Sequence, residues 1–366
     1  MTQAPEMITG SYAPQDVTFL LKPVQIVPTD VVAKERLIQS GAAHYSEMIS
    51  EERRPDARYM EIFEAARAAG VDRIAREICA VSQQIAQRIA QGTLPQQITL
   101  CSLVRAGVPY GVVLQRELTT LGVACRHFGI SIIRDRGLDA NAISYILQRR
   151  ALAGMVFVDG WTGKGAIAAE LQRSWHDLTG QNEVELVVLA DPGGFATLSG
   201  SQDDWLIPSG ILGANVSGLI SRSILNRDVI GAQDFHGSIP VAHLSDIDVS
   251  CAFVDQITVL TGRYRGQTDG PPAPVNRAAL QARARSCVAT IAADHDVANL
   301  NRIKPGIAEA TRAVLRRRPK KVFIRSLSDP DVAALVHLCR TDGIELVEDA
   351  VLTGPYRAVT LIEKVA

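Results

Sequence analysis

The sequence predicts an α/β protein with a doubly wound parallel sheet, followed by a small second α/β domain. Short apolar segments at 98–104, 155–158 and 184–189 each end in a polar or Gly-rich turn, and helical segments follow the first two. Strands that alternate with helices pair in parallel, and ligands bind at the carboxyl ends of such strands. A stretch rich in Gly and Pro then interrupts the pattern. The expected organisation is a first domain over residues 1–266, a linker over 267–275 and a second domain over residues 276–366.

Ahead of the sheet, residues 17–27 are expected to form a strand-like stretch broken at Lys22 and Pro23, and residues 31–91 to be largely helical. Apolar residues recur there at steps of three and four from Ile74 to Ile89, which defines one buried helix face. The other strands are expected at 98–104, 125–133, 155–158, 184–189, 322–325, 345–347 and 360–363. The other helices are expected at 110–121, 166–175, 277–293, 306–318 and 331–340, while 195–264 is less regular.

Composition excludes several classes of protein. The 366 residues are 47% apolar, enough for a large core, and a net charge of −1 gives no whole-chain attraction to nucleic acid. The start of the chain lacks a secretory pattern, and no apolar run reaches the ~18 residues of a membrane span, so we expect a cytoplasmic protein that does not enter the membrane. The six cysteines form no CxxC pair, which argues against a zinc site. Two of them, Cys101 and Cys251, are expected in buried strands.

The strand expected at 155–158 runs into Asp159 and then into a Thr- and Gly-rich turn. The amides of such a turn and the start of the next helix together form a cradle for phosphate. Asp159 is placed to accept hydrogen bonds from sugar hydroxyls beside that phosphate. The alternative is an ordinary strand–turn–helix unit with an incidental acid. The candidate binding residues of this turn are Gly160, Trp161, Thr162, Gly163, Lys164 and Gly165.

Three more turns follow expected strands. After 98–104, Arg105 stands among small residues, which let backbone amides approach an anion while the Arg fork suits phosphate oxygens. Arg134 and Arg136 flank an acid beside a Gly, an arrangement that suits a mobile lid over a charged group. Asp191 ends the strand at 184–189 and is placed to face an acceptor. The alternative for each arginine turn is a solvated charged loop. The candidate binding residues around Arg105 are Ser102, Val104, Ala106 and Gly107.

The motif at 155–165 resembles the pyrophosphate-sugar motif of type I phosphoribosyltransferases. This resemblance implies the sheet of that family, phosphoribosyl pyrophosphate as substrate and a nucleobase-like acceptor. It also implies Mg2+ held by Asp159, with Asp159, Arg105, Arg134 and Arg136 as the catalytic set. Magnesium fits the chemistry because it bridges pyrophosphate oxygens and needs only one or two carboxylates. Two departures are Gly160, where the family has a second acid, and Lys164, which interrupts the loop glycines.

The resemblance extends from residue 10 to residue 264. This region is similar to a phosphoribosyltransferase family of bacterial tellurium-resistance and stress-response operons, which is also labelled StiP-type cysteine protease. Our prediction is the transferase. One alternative is a regulatory module that senses phosphoribosyl pyrophosphate or a nucleotide without turnover, which Gly160 favours. The other is the protease, which we rank below because no cysteine has a local signature for a thiolate nucleophile. The stretches that carry the resemblance are 10–12, 16–17, 34–41, 44–47, 103–109, 134–139, 159–165 and 234–237.

The C-terminal segment resembles the RNA-binding domain at the end of Pelota. In that fold a Gly–x–x–Glu helix start meets RNA, and Gly306 and Glu309 match it. Six cations between positions 312 and 321 would form a track for RNA phosphates, and the alternative is a solvated helix end. RNA is therefore an expected partner. The candidate RNA-binding residues are Lys304, Gly306, Glu309, Arg312, Arg316, Arg317 and Arg318.

Overall fold

The computed structural model of the protein describes residues 7, 8, 10–267 and 275–364. The expected linker at 267–275 falls almost entirely outside these residues. Two parts follow one another along the chain, each built on its own sheet, and we refer to them as the first and the second domain. In the described ranges, no helix is both long enough and apolar enough to cross a membrane.

The first domain alternates strands and helices through most of its length. Its strands are β1 (Thr18–Phe19), β2 (Lys22–Pro23), β3 (Gln97–Leu103), β4 (Ala124–Ile130), β5 (Ile132–Ile133), β6 (Gly137–Leu138), β7 (Met155–Val158), β8 (Leu186–Ala190), β9 (Leu198–Ser201) and β10 (Gly237–Ser238). Its helices are α1 (Val31–Gln39), α2 (Ala57–Ala90), α3 (Val108–Thr120), α4 (Ala140–Leu147), α5 (Ala166–Thr179) and α6 (Ser250–Tyr264).

Six of these strands form one sheet in the order β1-β4-β3-β7-β8-β9, and every neighbouring pair is parallel. The expected parallel α/β sheet is therefore confirmed. Alternate residues of a strand point to opposite faces of the sheet. In β3, Leu100 joins the apolar cluster under α2, α3 and α6, whereas Cys101 joins the cluster under α4 and α5. The helices thus cover both faces, and the carboxyl ends of the strands remain at one edge.

Several expected element boundaries were wrong. Residues 31–91 are largely helical as expected, but they form two helices, since Gly41 follows α1 with a φ of +74° and Pro55 precedes the start of α2. Residues 17–27 contain only the two-residue strands β1 and β2. The strand at 125–133 leaves the sheet after Ile130, and β5 then pairs antiparallel with β6. The apolar pattern identified the buried residues. It did not show where these elements end, or that β5 pairs with β6 and not with the main sheet.

The second domain has a four-stranded sheet in the order β11-β14-β12-β13, with only the β12–β13 pair parallel. Helix α7 covers one face, and helices α8 and α9 cover the other. Its strands are β11 (Ile303–Pro305), β12 (Pro319–Ile324), β13 (Glu345–Glu348) and β14 (Ala358–Ile362). Its helices are α7 (Arg277–Asp294), α8 (Ile307–Arg316) and α9 (Ala333–Thr341).

The two domains share buried apolar surface. One cluster contains Val156 and Val158 of β7, Trp205 and Ile207 of the segment after β9, and Ile307 of α8. Since burial of this surface removes it from water, the second domain is held against the carboxyl edge of the first sheet by the same effect that stabilises each core. This position brings residues of both domains to the candidate site.

Candidate functional site

A cavity of about 340 Å³ lies where the carboxyl ends of β3 and β7 meet the second domain. Parallel strands place their following turns along one edge, which explains why turns distant in sequence converge there. The charged residues that line it are Arg105, Arg134, Asp159, Lys164, Arg222, Lys304, Glu309 and Arg312. Val104, Ala106, Trp161, Thr162, Gly163 and Gly165 also line it.

Asp159 stands at the end of β7, partly buried in the wall of this cavity. Its Oδ1 accepts a hydrogen bond from the backbone N–H of Gly160 at 2.8 Å. Burial raises the pKa of Asp159 to about 7, and the nearby Glu309 adds to the rise while Arg312 opposes it. The carboxyl group therefore holds its proton to higher pH than an ordinary Asp.

Asp159 is the residue that the sequence predicted to hold magnesium. In the described ranges, no three side chains of the metal-ligating types converge on one point. The charged side chains that shift the pKa of Asp159 are a cation, Arg312, and an acid, Glu309. A cation-rich wall of this kind does not fit a divalent metal, whose preferred ligands are carboxylate and carbonyl oxygens.

Contacts within the first domain hold the Arg105 turn in place. Arg105 Nη1 donates to Glu52 Oε2 at 2.5 Å and to the carbonyl oxygen of Ile220 at 3.1 Å. Gly107 packs so closely on β7 that a Cβ there would lie 2.0 Å from the carbonyl oxygen of Val158. Ser102 is buried, and its hydroxyl donates to the Gly107 carbonyl at 3.1 Å. Ser102 and Gly107 thus hold the turn in place, while Arg105 faces the cavity.

The turn from Thr162 to Gly165 meets the second domain. Lys164 donates to the carbonyl oxygen of Ile303 at 3.3 Å and also to that of Leu300. The hydroxyl of Tyr356 donates to the carbonyl oxygen of Gly163 at 3.0 Å. Gly165 adopts a φ of +81° at the start of α5, which only Gly adopts without strain. The turn is therefore part of the contact between domains.

The turn expected to form a lid is part of a hairpin, and Asp191, expected to face an acceptor, is buried. Arg134 and Arg136 belong to the turn of the β5–β6 hairpin rather than to an extended loop. Arg134 lines the cavity, whereas Arg136 points to Glu47 at 3.5 Å. Asp191 is 2% exposed and accepts hydrogen bonds from Thr162 and from the backbone of the next turn. Its oxygens therefore hold two loops together.

Four of the expected RNA-binding residues lie near the same contact. Lys304, Glu309 and Arg312 line the cavity, and the Arg312 guanidinium lies 5.7 Å from the centre of the Trp161 ring. Gly306, with a φ of +92°, is buried at the start of α8. The helix start that the Pelota resemblance assigns to RNA is thus packed against the first domain.

Two of the remaining residues of that set, Arg317 and Arg318, follow α8 and point away from the cavity. Arg317 donates to Glu35 at 2.6 Å, and Arg318 is 73% exposed beside Glu363. The side chain of Arg316 lies outside the described part of the chain. Exposed positive charge in this region is therefore carried by Arg318 and, two residues on, by Lys320.

One exposed thiol was missed by the sequence analysis. Cys251 is the second residue of α6 and is exposed, not part of a buried strand as expected. The apolar residues after it suggested a strand, but they pack at helical spacing against α2 and α3. The signal that could have revealed the helix is Asp248, whose carboxylate accepts hydrogen bonds from the backbone N–H and the hydroxyl of Ser250.

The other five cysteines, His127 and His236 are buried or half-buried. Cys79, Cys101, Cys287 and Cys339 are buried, and Cys125 is half-buried. His127 contacts the Ser102 hydroxyl at 2.7 Å, and burial lowers its pKa to about 4. His236 contacts the Ser131 hydroxyl at 2.8 Å. Among the described residues, no hydrogen bond joins a cysteine to a histidine.

The fold and the cavity define a two-domain α/β protein whose site lies between a parallel sheet and a basic C-terminal domain. The chain belongs to the StiP family: the model described as tellurite-like stress resistance cysteine protease StiP matches residues 10–258. A model described as the PELOTA RNA binding domain matches residues 282–364. The cysteine protease StiP of Acinetobacter baylyi is 46% identical over 368 residues, which cover 97% of this chain and 94% of that protein.

Solved structures of hypoxanthine phosphoribosyltransferase from Trypanosoma cruzi also match in part. The complex with the product IMP has a TM-score of 0.30 and 15% identity, covering 37% of this chain and 80% of that chain. A second structure of that enzyme has a TM-score of 0.29 and 16% identity, covering 37% and 82%. Similarity at this level carries no argument about activity.

The prediction of a phosphoribosyltransferase was wrong. Both the family that matches most of the first domain and the relative that matches nearly the whole chain are named as a cysteine protease. The ranking of the protease below the transferase was wrong for the same reason. The error came from a local strand–turn–helix pattern, which specifies how a backbone turns but not which reaction occurs beside it.

Proposed function

We propose that this chain is a thiol-dependent peptidase of the StiP type, with Cys251 as its nucleophile. The observation that carries the proposal is that Cys251 is the one exposed thiol among the six cysteines of a chain that belongs to this family. A thiol-dependent peptidase needs a sulfur atom that can reach a peptide carbonyl.

Burial argues against the other five thiols. It raises the pKa of Cys79, Cys125, Cys287 and Cys339 to about 12, and it raises that of Cys101 as well. A thiol buried in apolar surroundings neither ionises near neutral pH nor meets a substrate. Only Cys251 combines access to solvent with a position in the first turn of a helix.

The surroundings of Cys251 define how it would react. Its Sγ donates to the carbonyl oxygen of Ser11 at 3.1 Å. Partial burial raises its pKa, and the carboxylates of Asp248 and Asp255 raise it further, while Arg116 opposes them. The group is therefore a thiol rather than a thiolate at neutral pH. Attack of Sγ on a peptide carbonyl would break the C–N bond, release the amine half of the substrate and leave a thioester that water hydrolyses. The attack requires loss of the Sγ proton to solvent, so the rate of cleavage should rise with pH.

The proposal is tested with the full chain and a fluorescent casein substrate. Cys251→Ala should abolish cleavage, and iodoacetamide should block the wild-type protein. Cys125→Ala, which removes the half-buried thiol, is the matched control and should cleave as the wild type does. Cleavage that survives Cys251→Ala, or a complete lack of thiol-dependent cleavage from neutral to alkaline pH, would overturn the assignment.

We also propose that the second domain binds RNA. The match to the Pelota domain and the exposed cations Arg318 and Lys320 support this role. The buried start of α8 does not support it, because the first domain covers that surface. We therefore assign the proposed RNA-binding surface to the end of α8 and the start of β12. The salt dependence of RNA affinity in variants of Arg318 and Lys320 tests this assignment.

The finer assignment of the first sheet to the type I phosphoribosyltransferase arrangement is likewise a proposal about the backbone alone. It is supported by the parallel order β4-β3-β7-β8 and by the turns that follow these strands. An experimental structure superposed on that fold class would test it. No transfer reaction follows from it.

A further inference from the structure

We propose that a groove beside the first half of β4 binds an extended acidic segment of another protein, which adds to the sheet as a strand. The groove has a volume of about 470 Å³ and lies at the amino ends of β3 and β4, whose first residues, Gln97 and Ala124, line it. It is therefore at the opposite end of the sheet from the cavity between the domains. Cys251 does not line it, and the proposal does not depend on peptidase activity.

The open edge of β4 is the first argument. β3 pairs with β4 along its whole length, but β1, the neighbour on the other side, pairs only at Phe128 and Gly129. The chain ahead of β1 forms a turn at residues 14–16 and does not continue as a strand. In the described ranges, no strand therefore pairs with the first three residues of β4 on that side.

Backbone groups of β4 point to this open side. The backbone N–H of Leu20 donates to the carbonyl oxygen of Gly129 at 2.9 Å, so the backbone groups of Gly129 face β1. Because these groups alternate sides along a strand, those of Cys125, four residues earlier, point the same way. An extended peptide can pair with such an edge through its own backbone.

The charge of the groove is the second argument. Arg126, Arg149 and Arg150 line it, and none of its lining residues is an Asp or a Glu. Within the described part of the chain, no carboxylate pairs with any of these three arginines. The oxygens that accept their hydrogen bonds are the hydroxyls of Thr18 and Thr99, the side-chain carbonyls of Gln97 and Gln148, and the backbone carbonyls of Ile98 and Tyr145.

The arginines lie on one face of the sheet. Phe128 packs in the apolar cluster under α4 and α5, so Arg126, two residues earlier, is on the same face. Arg149 and Arg150 follow α4, which covers that face. Alternate side chains of an added strand would meet the three guanidinium groups, whose fork geometry suits carboxylates. The partner that fits is therefore a strand with an acid at every second position.

Two other partners fit less well. Single-stranded nucleic acid is bound through exposed aromatic faces. Here Phe128 is buried, and the Arg149 guanidinium covers the ring of Tyr145 at 3.7 Å from its centre. A second copy of this chain, paired edge to edge, would bring the same arginines against each other.

The test is fluorescence anisotropy of the full chain with a labelled peptide of alternating Glu and Val, about ten residues long. We expect saturable binding that weakens as salt is added, and no binding of a peptide of alternating Lys and Val. Replacing Arg126 and Arg149 together by Gln should weaken binding roughly 5- to 25-fold, the effect of losing two exposed ion pairs. The matched control replaces Arg227 and Arg263 by Gln. These are exposed cations of the same domain outside the groove, and this variant should bind as the wild type does.

Methylated peptides test the strand edge without any variant, and so do not depend on whether a variant folds. One form of the Glu–Val peptide carries N-methyl groups on its Glu amides and the other on its Val amides. Since only one edge of the peptide can pair with β4, one form should bind roughly tenfold or more weakly and the other as the parent does.

Several results would overturn the proposal. One is a lack of saturable binding of the Glu–Val peptide at low salt, up to about 1 mM peptide. Another is equal binding by both methylated forms and the parent, which would leave charge attraction alone. Equal weakening by the control variant also counts against the groove. Finally, oligothymidylate that loses affinity in the Arg126 and Arg149 variant, while the peptide does not, would assign the groove to nucleic acid.

Discussion

The carboxylate of Asp204, in the first domain, accepts two hydrogen bonds from the backbone N–H of Ile307, at 2.9 and 3.0 Å. Ile307 is the first residue of α8, and its own N-cap residue, Gly306, has no side chain to offer. The same carboxylate also accepts a hydrogen bond from the backbone N–H of Arg357 at 2.7 Å. One domain thus caps a helix of the other.

This cap leads to a prediction about stability. Asp204→Ala leaves two buried N–H groups without their acceptor, which should lower the free energy of unfolding by roughly 2–4 kcal/mol. Urea unfolding of the full chain measures the change. Asp203→Ala is the matched control: its carboxylate is 53% exposed and pairs with Arg73 at 3.1 Å, so its loss should cost about 1 kcal/mol or less. Equal effects of the two variants would contradict the capping role.

A second prediction concerns pH and Asp159. Because its pKa in the folded protein is raised to about 7, the folded chain keeps a proton that the unfolded chain releases between pH about 4 and about 7. The stability associated with this proton is present at low pH and is lost as pH rises through about 7.

Asp159→Asn cannot titrate, so its free energy of unfolding should fall less than that of the wild type over this window. The difference in slope should reach at most about 1.4 kcal/mol per pH unit. Unfolding series at several pH values test this, and parallel curves for the two proteins would show that the folded environment does not shift this carboxyl group.

The order in which the thiols react provides a third prediction. Iodoacetamide applied to the native protein should modify Cys251 first, because Cys101 and the other buried thiols are shielded from solvent. The rate should still be rising above the pH at which an ordinary thiol is half ionised, since Asp248 and Asp255 raise the Cys251 pKa. Mass spectrometry of digested samples identifies the site. Earlier labelling of Cys125 would show that the order of exposure is different.

The fourth prediction concerns RNA and salt. A protein that contacts single-stranded phosphates loses affinity with salt by about 0.7 log units per contact for each tenfold increase. Replacing Arg318 and Lys320 together by Gln should reduce the magnitude of this slope by an amount that corresponds to up to two phosphate contacts. Adding Arg317→Gln should have little further effect, because Arg317 already pairs with Glu35.

The control for this experiment is Arg54→Gln, which removes an exposed cation of the first domain that pairs with Asp246 at 3.0 Å. Its salt slope should match that of the wild type. A slope unchanged in the Arg318 and Lys320 variant, alongside RNA binding by the full chain, would place the RNA surface elsewhere.

The local sequence pattern was sufficient to predict the strands and turns at the centre of the first sheet. Residues 155–158 form β7 as expected because four consecutive apolar residues need burial on both faces, and Gly165 permits the turn into α5. The turn at Arg105 follows β3 for a similar reason. These features depend on residues within a few positions of one another, and such interactions are present in the sequence itself.

What only the tertiary structure decided depends on contacts between distant residues. The sequence does not show that Lys164 reaches Ile303, that Asp204 caps α8, or that the Gly306 helix start is covered instead of free for RNA. It also does not show that Cys251 is exposed. Burial, charge pairing and pKa depend on which segments pack together in three dimensions, so the partners of each side chain were determined by the packing of the two domains.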